Sequence, residues 1–228
     1  MEAKNNLVKK ETDKGTMLFQ VDGMEVKLSP ALVRKYLVNG NGSITDAEVV
    51  YFMQLCKARH LNPFTKDCYL IKYNSEPATM VVAKEALERR AVKNEKYNGK
   101  KVGIYVVNED GELIKKENCI LLKNEEIVGA WCEVYRKDWA FPVKVDVNFE
   151  EYIGRKKDGS TNSNWKNRPV TMITKVAKAQ ALREAFVEEL SGMYDSAEVE
   201  KIIPEEVMNE AETRNVNEPV EAEVVTEE

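Results

Sequence analysis

Residues 162–194 read NSNWKNRPVTMITKVAKAQALREAFVEELSGMY. Within them Met172, Val176, Ala179, Arg183, Phe186 and Leu190 follow steps of four, three, four, three and four, which put all of them on one face of a helix. The spacing predicts a long helix from about 169 to 190. Pro169 suits its first turn, where a missing N–H costs nothing. The stripe is apolar except for Arg183. A guanidinium there is costly unless a carboxylate or a phosphate meets it, and periodicity leaves both partners open. Lys175 and Lys178, three residues apart, lie on an adjacent face. With Arg183, the Arg155-Lys156-Lys157 run, Lys166 and Arg168, they outline a candidate basic groove. Trp165 lies in the same cluster. It is either a core anchor at the helix start or an aromatic surface for single-stranded nucleic acid.

Outward from this helix the pattern is α+β. Residues 17–28 alternate loosely and predict a short strand or a hairpin around Asp22-Gly23. Ser29-Pro30 opens a short helix, and 39–42, Asn-Gly-Asn-Gly, reads as a turn. Thr45 and Glu48 form a capping box ahead of a helix that shows Val49, Phe52, Met53 and Cys56 on one face. Runs 68–73 and 78–82 predict a second hairpin, and 84–96 a helix closed at Asn98-Gly99. Three or four strand-like runs follow, at 102–107, 113–122, 127–135 and 142–147, and 154–164 is a polar loop with a basic start. The expected architecture is a small antiparallel β-meander with hairpins packed against helices, the long C-terminal helix among them. The expected organisation is a disordered 1–16, a core over 17–203 and a disordered acidic tail over 204–228.

Charge is unevenly distributed along the 228 residues. From residue 198 onward eleven acidic residues face only Lys201 and Arg214, a net −9, which leaves residues 1–197 at +4 although the whole chain is at −5. A mildly basic body with an acidic appendage fits a nucleic-acid binder. The four cysteines, Cys56, Cys68, Cys119 and Cys132, lack the close pairing of zinc ligands, so no metal site is expected and they read as core filler. His60 is the only histidine, in a turn-like context that argues for a helix end rather than a catalytic triad. No apolar run is long enough for a membrane span and residues 1–14 are polar, so neither a membrane nor a secretory signal is expected; the expected compartment is the cytoplasm. No GxxxxGK[ST] motif is present, so no ATP or other cofactor is expected.

Trp165, Pro169, Met172, Gln180, Arg183, Ala185-Phe186, Gly192 and Tyr194-Asp195 follow, in order, a W-x-x-x-P-x-x-M pattern, a Q-x-x-R pair, A-F and G-x-Y-D. Three more blocks stand in register: 61–66 (Leu-Asn-Pro-Phe-Thr-Lys) with Tyr69, Val81-Val82 to Arg89, and Tyr135-Arg136-Lys137-Asp138 with Pro142. In these the chain resembles the Bet/Red-beta branch of phage single-strand annealing proteins, related to RecT, over about residues 45–203. The resemblance implies a recombination protein that coats single-stranded DNA left by a 5′→3′ exonuclease. It implies pairing of that DNA with a complementary strand through an annealed duplex intermediate, without ATP, as a ring or helical filament. A host single-strand binding protein is a further implied partner, and a host bacterial cytoplasm the implied setting. Taken with the basic groove, it makes Lys66, Arg89, Arg136, Lys137, Arg155, Lys156, Lys157, Trp165, Lys166, Arg168, Met172, Lys175, Lys178, Gln180 and Arg183 the candidate DNA-binding residues. Val170 and Val176 stand where relatives carry basic residues, and here Arg168, Lys175 and Lys178 are the basic positions instead.

Two rival readings come from other classes. Asp138, Asp146, Glu150 and Glu151 are carboxylates that a metal-dependent nuclease would need clustered. A single-strand DNA-binding or adaptor protein that coats without annealing is the other.

Overall fold

The structure is a computed structural model that describes residues 15–156 and 158–199. Residues 1–14 and 200–228, with most of the expected N-terminal segment and acidic tail, lie outside the described residues, as does Lys157.

Strands β1 (Met17–Val21) and β2 (Met24–Leu28) pair antiparallel across Asp22 and Gly23, both at positive φ (51° and 79°). A two-residue turn in that region twists with the strands it joins. Alternation puts Phe19, Val21, Val26 and Leu28 into the core. Ser29 Oγ accepts the Leu32 N–H at 3.3 Å and starts α1 (Pro30–Tyr36). The predicted capping box opens α2 (Asp46–Ala58): Thr45 Oγ1 accepts the Glu48 N–H at 3.3 Å, and Glu48 Oε2 accepts the Thr45 N–H at 2.9 Å. Val49, Phe52, Met53 and Cys56 are its buried face, as expected.

Glu48 also joins α2 to the second sheet, whose strands are β3 (Val38–Asn39), β4 (Cys68–Ile71) and β5 (Thr79–Val82). The β4–β5 pairing is the predicted hairpin, and β3 lies parallel to β4. Glu48 Oε1 receives the buried Lys72 ammonium at 2.7 Å and the Ala78 N–H at 2.8 Å. Those donors, Lys72 foremost, lower its carboxyl from 4.5 to about 2. A carboxyl depressed in the folded state contributes stability above its unfolded value and loses it as pH falls through the folded one. Glu48→Gln is therefore expected to be less stable than wild type at neutral pH, with the gap closing as pH drops from 4.5 to about 2. Urea denaturation along that series measures it; a gap independent of pH would show that the charge contributes nothing.

Helix α3 (Lys84–Lys93) ends earlier than the predicted 84–96. Asn94 Oδ1 accepts the Lys96 N–H at 2.9 Å and diverts the chain, so β6 (Tyr97–Val107) has begun before Asn98-Gly99, which falls at an irregularity in its pairing. β7 (Leu113–Lys116) is shorter than the predicted 113–122, because Asn118 Oδ1 accepts the Ile120 N–H at 3.0 Å and turns the chain. β8 (Glu126–Arg136) and β9 (Val143–Asn148) complete an antiparallel sheet in the order β7-β6-β8-β9. β8 therefore pairs with β6, its equal in length, rather than following β7 as a simple meander would.

Short helices α4 (Phe149–Tyr152) and α5 (Ser163–Asn167) lead into α6 (Pro169–Ala185), which packs on the sheet face made by Ile104, Val106, Ala130, Cys132, Val134, Val145 and Val147. The predicted one-sided stripe is too narrow. Ile173, Thr174, Ala177, Ala181, Leu182 and Ala185 are buried as well, because α6 also contacts α3, α4, α5, α7 (Val187–Leu190) and α8 (Ser196–Val199). Its alanines admit neighbours on several sides. Nor is the helix continuous to 190: Phe186 leaves helical geometry (φ −131°, ψ 57°), and the Arg136 guanidinium donates to the Ala185 carbonyl that the break exposes.

Candidate nucleic-acid interface

The loop before α6 is built from small, specific contacts. Asn162 is buried; its Oδ1 accepts the Trp165 N–H at 3.0 Å, and its own N–H donates to the Gly154 carbonyl at 3.0 Å. A Cβ at Gly154 would lie 2.3 Å from Asn162 Nδ2 and 2.9 Å from Trp165 Cδ1, so this position needs glycine. Beyond that closure, Arg155 bridges to Thr161 and the Lys156 N–H donates to the Ser160 carbonyl at 2.7 Å. The result is a short arm with Arg155 and Lys156 exposed.

Trp165 is 1% exposed and meets Phe149 edge-on, with ring centroids 5.5 Å apart. Of its two sequence readings, core anchor is the one the fold contains. The space between arm and anchor is a groove of about 690 Å³. Ile127, Ile153 and Pro169 give it an apolar floor, Lys156 and Lys166 line it with charge, and Thr161 and Ser163 supply hydroxyls. Lys166 and Arg168 are exposed at the α5–α6 junction. Arg168 joins the two helices, its N–H closing α5 on the Asn164 carbonyl and its carbonyl starting α6.

The remaining sequence candidates divide among other neighbourhoods. Arg155 pairs with Glu150 at 2.6 Å. Met172 is buried beneath the groove's helix, and Gln180 Nε2 donates to the Tyr152 hydroxyl at 2.6 Å. Lys175 and Lys178 are half-buried on α6. Arg136, at the β8–β9 turn, pairs with Asp138 at 2.8 Å and lies 4.3 Å from the Trp139 ring centroid, with Lys137 exposed beside it. That pairing holds the Asp138 carboxyl down at about 2. Lys66 is exposed at φ 61°, ending the 3₁₀ turn Pro63–Thr65, and Arg89 pairs with Asp67, whose carboxylate also accepts the Asn62 N–H at 3.0 Å.

Arg183 carries the alternative left open by periodicity. Its guanidinium pairs with Glu198, Nη1 to Oε2 at 2.8 Å, and donates to the Met193 carbonyl at 3.1 Å. The Tyr194 ring stands 4.7 Å from its Cζ. The side chains of Arg183 and Glu198 are 15% and 6% exposed, so this is a nearly buried ion pair.

The carboxylates of the nuclease reading are scattered among other partners. Asp138 meets Arg136, Asp146 accepts from the Tyr105 hydroxyl at 2.6 Å, and Glu150 holds Arg155. Among the described residues no group of three or more His, Cys, Asp or Glu is disposed to hold a metal ion, and no helix is long and apolar enough to cross a membrane.

Similarity to known proteins extends over the whole of this arrangement. The RecT family matches residues 23–214, which takes in the arm, the groove, α6 and the Arg183–Glu198 pair. This chain belongs to the RecT family. Two relatives are more distant in sequence. Uncharacterized protein UU154 of Ureaplasma parvum serovar 3 (strain ATCC 700970) is 27% identical over 179 residues, 76% of this chain and 70% of that protein. Recombination protein bet of Escherichia phage lambda is 24% identical over 166 residues, 71% of this chain and 55% of the lambda protein. The match thus spans only about half the length of the lambda protein.

Two basic residues absent from the sequence reading enter the picture through the fold. Lys84 heads α3 and Lys100 lies on β6, and both converge on Glu88 beside Lys178. Lys84 stands four residues before Glu88 on α3, a local spacing, but nothing local marks Lys100. The signal is tertiary, three elements meeting at one carboxylate.

Proposed function

We propose that this chain binds single-stranded DNA along the groove between the 155–161 arm and the start of α6 and pairs it with a complementary strand without ATP. Membership of the RecT family over residues 23–214 carries this reading, and the lambda relative, a recombination protein by name, agrees with it. The physical means is a phosphate grip by Lys156, Lys166 and Arg168 that leaves base edges free to test a partner, since phosphate contacts hold without reading sequence. A body charge of only +4 gives one protomer a weak grip. Repeating the site along a DNA-bound oligomer multiplies it. The strand it receives is the product of a 5′→3′ exonuclease, and that exonuclease and the host single-strand binding protein are its further partners.

An annealing assay on complementary oligonucleotides, with no nucleotide and no magnesium added, tests the proposal. Wild type is expected to accelerate pairing. A protein that coats both strands yet leaves their pairing rate unchanged would be the non-annealing binder instead. Degradation of labelled strand once magnesium is added would point to the nuclease. In the same solution Lys166→Ala/Arg168→Ala is expected to bind a single strand more weakly, with the salt slope reduced by about 0.7 for each phosphate no longer neutralised. An unchanged slope would remove the α5–α6 junction from the interface.

A further inference from the structure

Lys84 Nζ lies 4.0 Å from Glu88 Oε1 and 3.5 Å from Glu85 Oε1, and Lys100 Nζ lies 3.1 Å from the same Glu88 oxygen. Both lysine side chains are largely covered, 20% and 23% exposed. Lys178 comes to the same place from α6. Burial first, and the neighbouring Lys84 charge next, lower the pKa of its ammonium, an effect that Glu88 does not cancel. Lys175, one turn earlier, acts on Glu85. Lys84 and Lys100 therefore share one carboxylate, and Lys178 brings a third ammonium into their field. A half-covered site with excess positive charge is unfavourable by itself. It becomes favourable when an anion enters, because each ammonium then gains a strong acceptor in a region only partly screened by water. The cluster draws on α3, β6 and α6, so the fold rather than a loop holds its geometry.

We propose that Lys84, Lys100 and Lys178 form a phosphate subsite that takes a backbone diester of the bound DNA strand, separate from the groove at Lys156 and Lys166. This rests on the single-strand binding reading and extends the strand's path along α6 from its N-terminal end toward α3. Phosphodiester and free phosphate share the chemistry that would be recognised, so the test separates them.

Wild type, Lys178→Met, Lys100→Gln and Lys166→Ala are titrated with a fluorescent oligothymidine across a salt series, and each is melted in the absence of DNA. Lys178→Met removes a half-buried charge beside like charges and keeps the chain's bulk, so it is expected to melt higher than wild type. It and Lys100→Gln are each expected to bind DNA more weakly, with the salt slope lower by about 0.7. A gain in stability joined to a loss of binding is the signature of a ligand site. If both variants keep the wild-type slope while Lys166→Ala lowers it, the subsite is overturned and the binding reading stands. If wild type fails to bind the oligonucleotide, both fall. Inorganic phosphate supplies the remaining arm: millimolar phosphate that shifts the Lys178 ammonium resonance, with an oligonucleotide that does not, would overturn the diester assignment.

Discussion

Trp165→Ala is expected to lose about 3–5 kcal/mol of folding stability, the largest effect of any single truncation in the groove region. The indole is 1% exposed and stacks edge-on against Phe149 at 5.5 Å, a geometry that adds about 0.5–1.5 kcal/mol beyond the buried area. Its removal also frees the neighbours it fixes. Asn162 caps α5 through the Trp165 N–H, and Gly154 is pressed against the indole ring, so the arm loses its closure. Against a typical total of about 5–15 kcal/mol, a loss of this size leaves a substantial unfolded population. Annealing should fail with it. Urea denaturation followed by far-ultraviolet circular dichroism gives the stability directly, and Trp165→Phe, which keeps a ring on Phe149, should recover most of it. A Trp165→Ala protein that unfolds at the wild-type urea concentration yet no longer holds DNA would mean the indole is a DNA contact rather than an anchor.

Features set by neighbouring residues are legible in the sequence. The Thr45–Glu48 box, the Ser29-Pro30 helix start and the Asp22-Gly23 turn each depend on backbone and side-chain groups within four positions, and all three stand as read. Features decided by a distant partner are not. The break at Phe186 is stabilised by Arg136, which is 50 positions away and belongs to a sheet strand. β3 is two residues long and exists only because β4 runs parallel beside it. The candidate site divides the same way. Lys156, Trp165 and Lys166 group together in the sequence and share a groove, since the arm and α5 that carry them follow one another in the chain. Helical spacing groups Lys178 with Lys175, whereas its charged neighbours in the fold include Lys84, Glu88 and Lys100. A periodic pattern shows which side chains share a helix face. It does not show what the rest of the chain places opposite them.

Arg183→Ala and Glu198→Ala are each expected to lose about 3–5 kcal/mol, because removing one member of a nearly buried ion pair strands the other. The two side chains are 15% and 6% exposed, and α8 is held to α6 through them. Annealing will fall in both single variants, so a simple alanine comparison cannot separate a strut from a DNA contact. The double variant Arg183→Met/Glu198→Leu does. It removes both charges and leaves apolar bulk in their place, and such replacements are often neutral or stabilising. If the guanidinium serves only to anchor the Met193–Glu198 segment, the double variant recovers the wild-type urea midpoint, the annealing rate and the salt slope of single-strand binding together. That is the outcome expected from its geometry, since Glu198, the Met193 carbonyl and the Tyr194 ring already surround it. Recovered stability with a flatter salt slope would show the opposite: Arg183 leaves Glu198 for a phosphate when DNA binds, and α8 is displaced in the exchange.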